Sequence, residues 1–185
     1  MADPYYCALM FKTTSQNLLP RQGDPRKFAQ QGILLQGLVP IASLPRLVDV
    51  IEDSSGEIQV NLVFGLSEDK KKIVTGSAGA DMSLICQRCL SPVTVLVESN
   101  ISLGIVWDEE QALTLPEYLD PWIVGEGAAD FYEMIEEEML LSLPAVAYHQ
   151  ELCVDSKLFE SGKPVEVKKE KNPFQVLEQF KSSPK

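Results

Sequence analysis

The stretch from Ser83 to Val97, SLICQRCLSPVTVLV, constrains the fold of this chain more than any other. A strand-like apolar run enters it, Cys86-Gln87-Arg88-Cys89 forms a tight turn, and a β-branched run leaves it. Two extended runs joined this closely predict antiparallel neighbours with a pair of thiols at the turn between them.

The segments around it extend the same pattern. Glu57 to Leu66 places Ile58, Val60, Leu62 and Phe64 on one face and Gln59 and Asn61 on the other, the period of a half-buried strand. Ser67 to Lys70 can turn the chain and Lys71 to Ala78 can return it as a hairpin partner. Met82 to Ile85 leads into the cysteine turn, and Val93 to Trp107 leaves it in strand-like alternation. Ile33 to Ile41, containing Gly37 and interrupted by Pro40, reads as another strand, and Trp122-Ile123-Val124 as a short edge strand.

Helices are fewer. Asp24-Pro25 is an N-cap followed by proline at the first helical position, which predicts a helix over Pro25 to Gln31 stopped by Gly32. After Ser43, the residues Leu44, Leu47, Val48 and Ile51 fall at helical spacing, and Asp53-Ser54-Ser55-Gly56 ends that run as a turn. The longest helix is expected over Ala128 to Ser142, with Phe131, Ile135 and Met139 on one side and Asp130, Glu133, Glu136 and Glu137 on the other, ended by Pro144. Asp108-Glu109-Glu110 is expected as a solvated loop or strand end. The fold class is therefore α+β: an antiparallel sheet of about five or six strands, built from sequence neighbours, with a few flanking helices and a flexible C-terminal tail.

The 185 residues and 45% apolar content suit one domain with a sizeable core, expected over 1–156 with residues 1–23 as a strand or loosely held arm. Residues 157–185 are expected as a lysine-rich linker closing on a short helix, with Asn172 as N-cap, Pro173 at the first position, and Phe174, Leu177 and Phe180 as an apolar stripe. That helix is either a docking element on a tether or a segment that folds back on its own core. No apolar run approaches the roughly 20 residues that span a bilayer, and the first residues lack the basic stretch and long apolar core of an export signal. A cytoplasmic protein without membrane partners is expected.

Charge is laid out unevenly. The net charge is −11, yet residues 89–156 hold 14 acidic residues and no Lys or Arg, while the remainder has 16 basic and 13 acidic residues. Such a field repels nucleic acid and favours a basic protein partner; a solvated acidic surface that maintains solubility is the simpler alternative. Lys70-Lys71-Lys72 and Lys168-Lys169 are short and carry no interleaved aromatics, so a basic aromatic platform for RNA is not expected.

Catalytic chemistry finds little footing. The single histidine, His149, limits Cys-His or Ser-His pairs, and no GxSxG, Walker-type or GxGxxG pattern occurs. Glu136-Glu137-Glu138 are adjacent on a helix, so they point in different directions and are expected as a solvated face. Metal binding is the sharper idea. In Cys86-x2-Cys89 the gap lets two thiolates converge on one Zn²⁺ while amides of the turn point at the sulfurs, and His149-x3-Cys153 is the natural second pair. Cys86, Cys89, His149 and Cys153 are thus the expected zinc ligands, against the alternative of reduced turn cysteines and an unrelated surface histidine.

Several residues together resemble the bacterial YceD family, the large ribosomal RNA subunit accumulation proteins. They are Asp24-Pro25-Arg26, the Gly37 strand with Arg46-Leu47, Leu84-Ile85-Cys86-Gln87-Arg88-Cys89-Leu90, Trp107-Asp108-Glu109-Glu110, Leu141-Ser142-Leu143-Pro144 and Asn172-Pro173-Phe174-Gln175-Val176-Leu177. The resemblance implies a cytoplasmic, non-catalytic factor for synthesis, processing or stability of 23S rRNA. It maps the family's first cysteine pair onto Cys86 and Cys89 and supplies no catalytic residue. Combined with the charge layout, it predicts a basic ribosomal protein or large-subunit assembly intermediate as partner, with rRNA reached indirectly. Direct RNA binding through the lysine-rich tail, a zinc-binding structural module and a metal-dependent RNA hydrolase are the competing readings.

Overall fold

The computed structural model describes residues 17–155; Cys7, the lysine-rich linker and the helix expected from Asn172 lie outside the described residues. The compact unit ends at Glu151, and 152–155 follow it as irregular chain.

Chain order begins with β1 (Gln22–Gly23) and α1 (Pro25–Gln31). Asp24 caps α1 by accepting from the amides of Arg26 and Lys27, and Gly32 closes it at φ 64°, a left-handed conformation that costs a Cβ-free residue nothing. Strand β2 (Leu34–Pro40) follows, and Gly37 within it is required by close approach: a Cβ there would stand 2.8 Å from the Leu19 amide nitrogen. A 3₁₀ turn (Ile41–Ser43) leads to α2, which covers only Pro45–Val48, shorter than the apolar spacing to Ile51 suggested.

Strands β3 (Glu57–Leu66), β4 (Lys72–Ile85) and β5 (Pro92–Val106) form the centre of a five-stranded sheet ordered β2-β3-β4-β5 and then β6 (Asp120–Ile123). The return strand and the lead-in to the cysteines are one continuous 14-residue strand, β4. Pairing is antiparallel through β5, and β6 runs parallel to β5 with Leu103 opposite Asp120. A parallel neighbour needs a crossover. Residues 107–119 supply it, and there the expected loop contains a short helix, α3 (Glu109–Ala112), capped by Asp108.

β3 stops pairing with β4 at Gly79, whereas β4 and β5 remain paired to Ile85 and Pro92. The hairpin therefore runs beyond the sheet as a two-stranded ribbon carrying the cysteine turn at its tip, and Asp53 braces it by a bridge to Ser83.

The last elements are β7 (Ala129–Asp130), which pairs with β1, and α4 (Phe131–Ser142). α4 starts later than the apolar pattern suggested because Ala129 and Asp130 are used by the β1 pairing and the N-cap. Helices α1 and α4 cover the face of the sheet bearing Ile58, Val60, Leu62, Phe64, Val74 and Ile101, all buried. No helix among the described residues is long and apolar enough to cross a membrane.

Both main helices are capped by carboxylates held below the usual range. The Lys27 amide leads this effect at Asp24. At Asp130, burial pushes the carboxyl up, but the Arg21 guanidinium at 2.9 Å and the Glu133 and Tyr132 amides outweigh it. A depressed folded pKa means that this stabilisation is complete at neutral pH and lost as pH falls through the folded value below about 4. Urea denaturation at pH 7 and pH 3 should show a smaller loss for Asp130→Asn than for the parent; equal losses would exclude Asp130 as a contributor.

Candidate metal centre

The tip of the β4–β5 ribbon is closed by its own backbone. The Cys86 amide donates to Ser91 O at 3.0 Å and the Leu90 amide to Cys86 O at 2.9 Å, while Leu90 adopts φ 59° to reverse the chain. The segment after α4 is tied to this turn by the Gln87 amide, which donates to Ala147 O at 2.9 Å. Arg88 strengthens the tie: its Nη2 donates to His149 O and to Glu151 O, and its guanidinium lies 5.0 Å from the Tyr148 ring centroid. The CxxC spacing said nothing of this clamp, although Arg88 sits inside the motif.

The result brings the four expected ligands together. One donor atom from each of Cys86, Cys89, His149 and Cys153 lies within 4.8 Å of the others, a set that could hold a metal ion. A tetrahedral zinc with Zn–S about 2.3 Å and Zn–N about 2.0 Å separates its donors by roughly 3.5 Å (S to N) to 3.8 Å (S to S). Cys89 Sγ and His149 Nδ1 stand 3.5 Å apart. The histidine is also aimed by its other nitrogen. His149 Nε2 is 3.2 Å from Pro92 O, and a carbonyl can only accept, so Nε2 carries the proton and Nδ1 presents its lone pair to the cluster.

Cys86 is fully buried. Burial pushes its thiol up, but the amides of Cys89, Arg88 and His149 stabilise the thiolate more, bringing the pKa down to about 5. The turn thus directs N–H groups at a sulfur as the spacing predicted, and Cys86 is anionic at neutral pH, the form in which a cysteine ligates.

The acidic helix corrects its expectation in part. Glu133 and Glu137 are exposed, but Glu136 is buried and accepts from the amides of Arg46 at 2.7 Å and Leu47 at 3.1 Å. Glu138 accepts from Ser99 Oγ at 3.2 Å, and its burial raises its pKa. Glu136 was out of reach of local pattern because the amides it serves lie 90 and 89 positions away in the chain.

Residues 74–181 match the model of the family described as large ribosomal RNA subunit accumulation protein YceD. A curated relative from Haemophilus influenzae, bearing that same description, is 32% identical over 168 residues, covering 88% of this chain and 96% of its own. The chain belongs to the YceD family. No solved structure matches it. Within this YceD chain the matched region begins near the start of β4, so it contains the whole cysteine ribbon, β5, α4 and the His149 segment.

Proposed function

We propose that this YceD protein is a non-catalytic cytoplasmic factor for the accumulation of large-subunit ribosomal RNA, acting by presenting an acidic surface to a basic ribosomal protein or assembly intermediate. The observation that carries this reading is the shared description and near full-length match of the Haemophilus influenzae relative. The surface supports it: Glu98, Asp108, Glu109, Glu110, Glu117, Asp120, Glu126 and Glu133 are all exposed, within a stretch that contains no lysine or arginine of its own. Basic partners would be drawn to such a field and oriented by it.

In the same proposal, Cys86, Cys89, His149 and Cys153 hold a structural zinc ion. Four protein donors fill a tetrahedral shell and leave no position for a substrate water, which fits a scaffold rather than a hydrolase. The ion would fasten the ribbon tip to the segment after α4, reinforcing the Arg88 clamp.

Affinity capture of the full chain from growing cells, with metal analysis of the same sample, tests both parts. Large-subunit ribosomal proteins and about one zinc per chain are expected. Glu98, Glu117 and Glu126 changed together to lysine should abolish the protein capture without unfolding the chain. Capture unchanged by that reversal would overturn the acidic-surface reading. Removing the ion with a chelator should lower the melting temperature by about 10 °C or more, because a structural ion's binding energy is folding energy; metal-free protein melting like the starting sample would remove zinc from the account.

A further inference from the structure

At the other end of β4 from the cysteines lies a second site of opposite character. From Lys72 to Ile85 the strand has 13 steps, so about 43 Å separate its ends. A cavity of about 210 Å³ opens at the Lys72 end, lined by Arg26, the three lysines Lys70, Lys71 and Lys72, and Trp107, Gln111, Thr114 and neighbouring apolar residues. In a chain of net charge −11, this lining contains four cationic residues and no carboxylate.

The turn explains why consecutive lysines share one cavity. In a regular strand they would alternate between faces. Here the Ser67 amide donates to Lys71 O, the Lys70 amide to Ser67 O, and Lys70 takes φ 58°, which breaks the alternation just before β4 begins. Lys71 Nζ reaches Thr114 Oγ1 at 3.4 Å, linking the turn to the chain after α3.

Trp107 completes the site. The Arg26 guanidinium lies 3.3 Å from the centroid of its ring and covers one face, yet the residue remains 46% exposed, so the side chain stays available to a ligand in the cavity it lines. Arg26 itself is buried; its Nη1 donates to Gly125 O at 3.0 Å, and its Nη2 donates to Val106 O at 3.2 Å and to Val124 O. No carboxylate among the described residues forms an ion pair with it. Its charge therefore backs an indole held in a fixed orientation. The lysine triplet has no aromatic near it in sequence; the end of β5 supplies one in space.

We propose that this cavity binds a single unpaired RNA nucleotide, with its phosphate on Lys70, Lys71 and Lys72 and its base stacked on Trp107. An anion alone would have no use for the exposed indole, whereas stacking on aromatics beside a cationic groove is how single strands are held without sequence reading. Glu68 and Asp69 in the turn and Asp108, Glu109 and Glu110 beyond Trp107 are exposed but do not line the cavity. They would meet the flanking phosphate rows of a duplex and repel them, so the site favours an unpaired strand. This contact is additional to the acidic surface and does not depend on it.

The test is fluorescence anisotropy of a labelled ten-residue oligouridylate with the full chain at 50 and 200 mM salt. Lys70→Gln, Lys71→Gln and Lys72→Gln together should weaken binding at least tenfold and lower the salt slope by about 0.7, the contribution of one phosphate contact on a single strand. Trp107→Leu should weaken the oligouridylate about tenfold and leave inorganic tripolyphosphate unaffected, while Trp107→Tyr keeps the stack and binds like the parent. No binding by the parent, parent-like binding by the triple lysine variant, or equal competition by a duplex would overturn the proposal. Ribosomal-protein capture is read separately, so either result can fail without the other.

Discussion

Phe131→Ala should cost about 4 kcal/mol of stability, the largest effect of any single truncation considered for this protein. Phe131 is fully buried at the first position of α4. Its ring centroid lies 5.9 Å from that of Phe28 in α1, 5.8 Å from that of Phe64 in β3 and 6.0 Å from that of Trp122 in β6. One side chain therefore joins two helices to the centre and the edge of the sheet. Truncation forfeits the transfer energy and leaves a cavity whose walls belong to four separate elements, so collapse around it is difficult. The melting temperature should fall by roughly 8–16 °C, followed by tryptophan fluorescence because Trp122 shares the cluster. Phe131→Leu should recover more than half of the loss. A melting temperature within 2 °C of the parent for Phe131→Ala would show that this cluster does not organise the core.

The second large effect is expected at Glu136. α2 is a four-residue helix whose N-cap, Leu44, has no side chain able to accept a hydrogen bond. Its first residue is Pro45, so the amides at the next two positions, Arg46 and Leu47, are the ones that need an acceptor. Glu136 Oε1, delivered from α4, takes both. Glu136→Ala leaves those amides without their acceptor in a buried setting and should destabilise the protein by about 3 kcal/mol. Glu136→Gln keeps an acceptor oxygen of the same shape and should cost about 1 kcal/mol. Exposed Glu137 pairs with Arg46 Nη1 at 3.3 Å, and Glu137→Ala should change stability by less than about 0.5 kcal/mol. Urea titrations of the three variants check the ranking; equal effects at the two positions would refute the capping role.

These two residues show how unequal a run of similar letters becomes on folding. Glu136, Glu137 and Glu138 cannot be ranked by composition or helical period beyond saying that they point in different directions. Their fates depend on what stands opposite: the start of α2 for the first, solvent and Arg46 for the second, Ser99 on β5 for the third. The same holds for the lysine triplet, which acquires Trp107 as a neighbour only because the β3–β4 turn and the end of β5 meet at one end of the sheet.

What the sequence determined alone was whatever a few neighbouring residues can decide among themselves. The Asp24 cap, Pro25 and Gly32 bound α1 at both ends, and strict alternation places β3 over Glu57–Leu66, because caps, ring constraints and the two-residue pleat are local physics. The CxxC turn was legible for the same reason, since thiols two residues apart converge unaided. Only the tertiary structure decided that β4 is one strand running past the sheet, that β6 joins β5 in parallel, and that His149 turns Nδ1 inward by donating its Nε2–H to the Pro92 carbonyl. The parallel pairing joins Leu103 to Asp120, 17 positions on, and the histidine contact spans 57 positions, so loop closure, not local propensity, sets which of them meet.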